Sequence, residues 1–305
     1  MGNRGKIRVL VVVALLVVVE VGVRASGVID FPLYSIDGEM GYIPNANQNG
    51  SFLKENDWYF NNKSMPISKD FDDSIHPNIL LIGNSIVMGG NVYSQKDKLT
   101  PRIQGNLGDR PLIWPVATGG WTEVNEMAYL DRHPEIVAKA DYFAWEYMAG
   151  GLSRATPWGG EYVFPTQKPL YATWYVLRRY LFPKLFRSIN ASELPVTGEP
   201  EKSNVVRFNQ AIHMLSHIIS RPHSGIIWLY PTALQLDIAR RGGEWLPERQ
   251  QIQEIADANG LRIVDITTKF QWNQGLYRED RVHPTIEGNY VLSSILSNEF
   301  AKDLK

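Results

Sequence analysis

An α/β fold, with a mostly parallel sheet covered by helices on both faces, is the architecture this sequence predicts, and three observations predict it. Apolar runs of strand length recur at residues 78–83, 112–117, 141–148, 225–230 and 261–265. Stretches of helical periodicity alternate with them, near residues 97–108, 122–130, 203–220 and 247–259 and from Thr285 onward. The first run carries four consecutive large apolar residues, Ile79 to Ile82, the mark of a strand buried on both faces.

The 305 residues suffice for one large domain or two small ones, and 44% hydrophobic with 21% charged residues is an ordinary globular composition. A net charge of -1 leaves no basic footprint for nucleic acid. The absence of cysteine excludes disulfides, thiol catalysis and zinc-type cysteine spacing.

In chain order, Arg4, Lys6 and Arg8 precede eleven unbroken apolar residues, Val9 to Val19, and then come Glu20 and Arg24. Residues 1–27 are therefore expected to be a signal peptide cut near Val23-Arg24-Ala25, or an uncleaved signal anchor. The anchor is preferred because Glu20 sits awkwardly before the cleavage site. In both cases the basic flank stays in the cytoplasm and the remainder is extracytoplasmic, membrane-anchored or secreted. A buried first element of a cytosolic protein is the competing reading.

Residues 28–76 set Tyr34, Tyr42, Trp58, Tyr59 and Phe60 among Gly, Asn and Pro, which predicts an arm of short strands and turns packed on the main domain. That main domain is residues 77–305. A segment at about residues 152–200 interrupts its rhythm with many aromatics, and from Tyr162 to Ala191 its charges are all basic: Lys168, Arg178, Arg179, Lys184 and Arg187. A packed helical hairpin is taken first; a lid beside a site and an interfacial helix on anionic lipid are the other readings.

The first core strand breaks into Gly83-Asn84-Ser85, which presents a serine at a carboxyl strand end, the edge where parallel sheets collect catalytic groups. Alone, Asn84-Ser85 reads more simply as a helix cap. Near the other end, Asp280-Arg281-Val282-His283-Pro284 precedes the last helix. If that turn folds back, Asp280 can hold the Nδ1 proton of His283 and leave Nε2 as a base, while Pro284 stiffens the chain and Thr285 caps the helix. With Ser85 at the same sheet edge, these residues form a candidate Ser-His-Asp triad.

Gly83-Asn84-Ser85-x-x-x-Gly89 resembles the first block of the SGNH, or GDSL, hydrolase family, with Asn84 where Asp is usual. Gly120 falls where that family has its oxyanion glycine, and Asp280-x-x-His283-Pro284 resembles its last block. The resemblance implies a three-layer α/β/α domain with a flavodoxin-like sheet. It also implies Ser85 as nucleophile, His283 as base, Asp280 as its orienting carboxylate, and the N–H groups of Ser85 and Gly120 as oxyanion donors.

The sequence departs from the family at the third block, usually Gly-x-Asn-Asp. Here the chain reads Met148-Ala149-Gly150-Gly151, so Gly150 stands in place of the oxyanion asparagine. Asn91 is the first substitute, although a turn residue after Gly89-Gly90 needs no such role. Asn125 and Glu146 are the others, and Glu146 would need a proton to donate.

No cofactor or metal is implied, since the triad supplies nucleophile, base and charge stabilisation. His133, His213, His217 and His223 read as surface or packing residues, because the His213/His217 pair has no companion carboxylate motif.

The expected function is a serine-dependent ester hydrolase acting on O-acyl, above all O-acetyl, esters of an extracytoplasmic polysaccharide or glycoconjugate. It would work in the bacterial periplasm or at the cell exterior, beside envelope polysaccharide machinery. Tyr42-Ile43-Pro44-Asn45 resembles the lead-in of bacterial polysaccharide-modifying relatives and supports the glycan part. An O-acetyltransferase would use the same triad. A non-catalytic polysaccharide-binding or assembly component, with a degenerate third block, is the reading from a different class.

Overall fold

The computed structural model describes residues 3–72, 74, 77–182, 198–219 and 224–304. Turn-forming residues break the arm into two antiparallel hairpins, β1 (Tyr34–Asp37) with β2 (Gly41–Pro44) and β3 (Gln48–Phe52) with β4 (Asn56–Phe60). The apolar runs that follow form a five-stranded parallel sheet of β5 (Asn78–Gly83), β6 (Leu112–Ala117), β7 (Tyr142–Tyr147), β8 (Gly225–Leu229) and β9 (Arg262–Asp265). Its order, β6-β5-β7-β8-β9, is the flavodoxin type, with the reversal of winding between β5 and β7.

Side-chain alternation sends Leu80, Ile82, Trp114, Phe143 and Trp145 to one face of the sheet, and Ile79, Leu81, Ile113, Tyr142 and Ala144 to the other. Helices Glu123–Arg132, Lys202–Ile219 and Arg249–Ala258 cover the first face. Helices Leu99–Leu107, Ala233–Arg240 and Ile286–Asp303 cover the second. Every residue of β5 is buried. At about 1.5–3 kcal/mol for each large aliphatic side chain fully buried, this strand is a firm base for whatever follows it.

One feature differs from the sequence reading. Helix Ala233–Arg240 is additional, and its signal was on the chain: Thr232-x-x-Gln235 is a capping box in which Gln235 Oε1 accepts the Thr232 N–H at 2.8 Å. The helical hairpin expected at about residues 152–200 falls partly on residues 183–197, outside the described residues. The insertion is irregular until Ala172–Val176, a short helix prolonged by a π-helical turn at Leu177–Leu181. Some of its aromatic rings pack on the arm, with Phe31 against Tyr175 at 5.1 Å and Tyr34 against Phe164 at 5.2 Å between centroids, and others pair within it, Tyr162 with Tyr175 at 5.8 Å and Trp174 with Phe182 at 5.7 Å. Lys184, Phe186, Arg187 and His223 lie outside the described residues.

The N-terminal run forms a helix, Asn3–Ala25, with apolar side chains exposed all round it. Among the described residues no helix is long and apolar enough to cross a membrane. The charges that interrupt this one near its end are both engaged. Glu20 accepts the N–H groups of Ala172 and Thr173 at 2.8 and 2.9 Å, and Arg24 donates to the carbonyls of Pro169 and Leu170 at 3.2 and 2.5 Å. Arg24 also pairs with Glu20 at 2.8 Å, so the end of the helix is latched to the insertion.

Candidate active site

β5 ends at Gly83, where a Cβ would collide with Glu146 Oε2 and Val87, so only glycine lets the chain leave the sheet here. Asn84 then caps helix Ser85–Met88, its Oδ1 accepting the Ile86 N–H at 3.0 Å. Asn84 therefore takes the capping role, and Ser85 is left to present its hydroxyl from the first helical position. There its N–H has no acceptor within the helix.

Across the sheet edge, Arg278–His283 is a tight turn closed by the Arg278 N–H on the His283 carbonyl at 2.8 Å. Arg281 is left-handed, with φ +61°, and this lets Asp280 fold back. Asp280 Oδ1 accepts the N–H groups of Val282 and His283 at 3.0 and 2.9 Å, and Oδ2 lies 3.1 Å from His283 Nδ1. The hydroxyls of Tyr230 and Tyr93 donate to Val282 O and Pro284 O at 2.8 and 2.7 Å and pin the turn from two sides. His283 Nε2 lies 2.8 Å from Ser85 Oγ, joining residues 198 positions apart. Partial burial pushes the Asp280 carboxyl up, but the His283 ring and the two backbone N–H groups outweigh it and hold the group well below the usual carboxylate range.

The turn after β6 borders the serine: a Cβ on Gly119 would lie 4.0 Å from Ser85 Cβ. Gly120 has φ +79°, and a Cβ there would come within 2.8 Å of the Tyr42 hydroxyl oxygen, so glycine is required on both counts. Among the described residues the Ser85 and Gly120 N–H groups have no acceptor.

At the end of β7 two backbone donors are already taken. The Gly150 N–H goes to Glu248 Oε1 at 2.6 Å, and the Met148 N–H goes to Glu123 Oε1 at 2.9 Å. Glu146 Oε2 accepts the Asn84 N–H from beneath at 3.1 Å. Burial pushes Glu123 up to about 8; the Met148 N–H opposes this and the nearby Glu248 charge adds to it. Burial also holds Glu146 well above the carboxylate range, against the Asn84 N–H and with Glu123 adding to the effect.

Of the three substitutes for the missing asparagine, Asn125 is unavailable. Its Oδ1 accepts the N–H groups of Thr122 and Thr156, and its Nδ2 donates to the carbonyls of Met40 and Thr156. Glu146 lies under the strand end, with Oε1 buried and unpartnered among the described residues. Asn91 lines a pocket of about 100 Å³ together with Ser85, Tyr93, Arg278, His283 and Asn289, and its Oδ1 is buried without a partner there. Tyr93, Arg278 and Asn289 carry no pattern in the sequence that would have marked them. His213 and His217 stack at 6.1 Å between ring centroids, and no group of side chains suited to a metal exists among the described residues.

No family model and no curated protein matches this chain. Among solved structures it is similar to a psychrotrophic esterase from Pseudoalteromonas sp. inhibited by monoethylphosphonate, at 10% identity and a TM-score of 0.48, over 75% of this chain and 99% of that one. A lipase/acylhydrolase from Enterococcus faecalis matches at 14% identity and TM-score 0.43, over 73% and 95% of the two chains. A carbohydrate acetylesterase family member from Sinorhizobium meliloti matches at 13% and 0.40, over 75% and 99%.

Proposed function

We propose that the protein is a serine-dependent ester hydrolase of SGNH type, acting on short O-acyl groups, chiefly O-acetyl esters of an extracytoplasmic polysaccharide or glycoconjugate. The observation that carries the chemistry is the relay itself, Ser85 Oγ to His283 Nε2 at 2.8 Å and His283 Nδ1 to Asp280 Oδ2 at 3.1 Å. His283 takes the serine proton as Oγ attacks the ester carbonyl, then returns it to the leaving alcohol. Water activated by the same nitrogen then releases the acid. Ionised Asp280 stabilises the imidazolium that forms in both steps. The N–H groups of Ser85 and Gly120 receive the oxyanion, with the Asn91 amide as a third donor.

Pocket size supports a short acyl group, since about 100 Å³ lies well below the roughly 300–1,000 Å³ of sites for drug-sized ligands. The glycan part rests on the Tyr42-Ile43-Pro44-Asn45 resemblance and on the exposed Tyr171 and Trp174 rings, which suit stacking on sugars. We place the domain outside the cytoplasm with the N-terminal helix retained as its anchor. Arg4, Lys6 and Arg8 before the apolar run support this, and so does the latch. Cleavage after Ala25 would strip Ala172 and Thr173 of the Glu20 carboxylate.

The test uses the full chain in detergent with p-nitrophenyl acetate, with and without a sugar oligomer, and Ser85→Ala beside the wild type. Nitrophenol release that Ser85→Ala abolishes is the expected result. Acetyl recovered on the sugar instead of as free acetate assigns acyl transfer through the same acyl-serine. Background release from both proteins overturns the enzyme and leaves the polysaccharide-binding component.

A further inference from the structure

We infer that the N-terminal arm supplies a positioning residue for this site: Tyr42, whose hydroxyl sets the orientation of the Gly119–Gly120 peptide and so aims the Gly120 N–H. This rests on the Ser85 chemistry proposed above and adds to it a part of the chain outside the α/β domain.

Tyr42 lies on β2 and is fully buried. Its ring stacks on Phe164 of the insertion at 3.9 Å between centroids and meets Tyr34 edge-on at 6.1 Å. The hydroxyl donates to the Gly119 carbonyl at 2.7 Å, a contact between residues 77 positions apart. Burial pushes the phenol far above its ordinary range, so it remains a donor at any working pH.

The peptide joining Gly119 to Gly120 is trans and planar, so its C=O and N–H point in opposite directions. A carbonyl held on Tyr42 therefore turns the Gly120 N–H away from Tyr42. The flanks of this turn face different partners. The Cβ position of Gly120 looks onto the Tyr42 hydroxyl, while that of Gly119 looks onto Ser85 and Met88. The Gly119 N–H is itself held, lying 3.0 Å from Met88 Sδ on the nucleophile's own helix. The two peptide groups around Gly119 are thus fixed from opposite sides, one by the helix of Ser85 and one by the arm. Two consecutive glycines have little conformational restraint of their own, so the orientation must come from outside the turn. An oxyanion donor accelerates the reaction only if it is aimed before charge develops. The ring of Tyr42 would fill its space equally well as phenylalanine; the hydroxyl is what reaches the turn.

Tyr42→Phe keeps the ring stack and removes only that hydroxyl. The readouts are the rate at which a fluorophosphonate labels Ser85 in the full chain, kcat and KM for p-nitrophenyl acetate, and the melting temperature. Ser85→Ala and Phe164→Leu are measured alongside. Tyr42→Phe should slow labelling and lower kcat by about 10–100-fold, less than the roughly 10²–10³ for outright loss of a donor, with KM moved by under about twofold. Phe164→Leu keeps the hydroxyl and loosens only the stack, and should slow labelling by less than about threefold. Labelling of Tyr42→Phe at the wild-type rate overturns the inference. Equal slowing in both variants also overturns it, because packing would then be the cause. Absence of Ser85-dependent labelling in the wild type overturns the esterase chemistry itself, a result recognisable before any Tyr42 variant is measured.

Discussion

The ends of β5 and β7 lie side by side on one sheet edge and are finished differently. After β5 the chain opens outward: Gly83 leaves no side chain in the way, Asn84 caps the next helix, and Ser85 lines the pocket with its hydroxyl on His283. After β7 the N–H groups of Met148 and Gly150 turn inward to Glu123 and Glu248, and Gly150 carries no side chain to replace the asparagine expected there. A parallel sheet offers the same edge to both strands. Buried carboxylates meet both ends, Glu146 at Asn84 and Glu123 and Glu248 at Met148 and Gly150, but among the described residues only the β5 end brings a serine with an unpaired N–H beside the histidine.

That contrast can be broken most strongly on the β5 side. Asp280→Asn should lower turnover of p-nitrophenyl acetate by about 10³–10⁴, because His283 loses the carboxylate that fixes its tautomer. A loss under about tenfold would show that the Asp280 hydrogen bonds only shape the turn. Asn91→Ala should cost about 10–100-fold in kcat with a smaller change in KM, since its amide is the one side-chain donor proposed for the oxyanion. Unchanged kcat would assign Asn91 to the turn alone.

The smallest effect on activity belongs to Glu123→Gln, which sharpens the β7 side. The folded protein raises Glu123 from 4.5 to about 8, so it binds this proton more tightly than the unfolded chain does. Stability from this group is therefore complete below its unfolded value and lost as pH rises through about 8. The wild-type melting temperature should fall between about pH 5 and 9, and Glu123→Gln should flatten that fall while Ser85 labelling at neutral pH stays the same. A pH-independent wild-type melting temperature would remove the buried carboxylate from the account of this strand end.

Ser85, Asp280 and His283 were legible in the sequence because each sits in a short local signal, a strand-breaking glycine or a carboxylate three residues before a histidine. The sheet was legible for the same reason, its strands being unbroken apolar runs. Tyr42 was not, because a tyrosine whose ring fills the core reads as packing and its hydroxyl partner lies far along the chain. Glu123 and Glu126 looked like ordinary acidic first-turn residues of a helix, yet both are buried, and only the fold brings Glu248 beside the same strand end. Glu146 stands inside an apolar strand, and its contact with the Asn84 N–H comes only with the fold. The contacts of the insertion with the arm were not legible, because nothing local to Phe164 or Tyr175 marks Tyr34 and Phe31, far along the chain, as their partners.

The Glu20 and Arg24 latch has a consequence for reach. A domain hung from a flexible tether samples a range of heights that widens with the square root of the tether's length. Here the N-terminal helix, about 34 Å long at 1.5 Å per residue, passes its last turn directly into contact with residues 169–173. With that helix held at a membrane as proposed, Ser85 stands at one set height and tilt above the surface. An ester substrate would then have to come to that level.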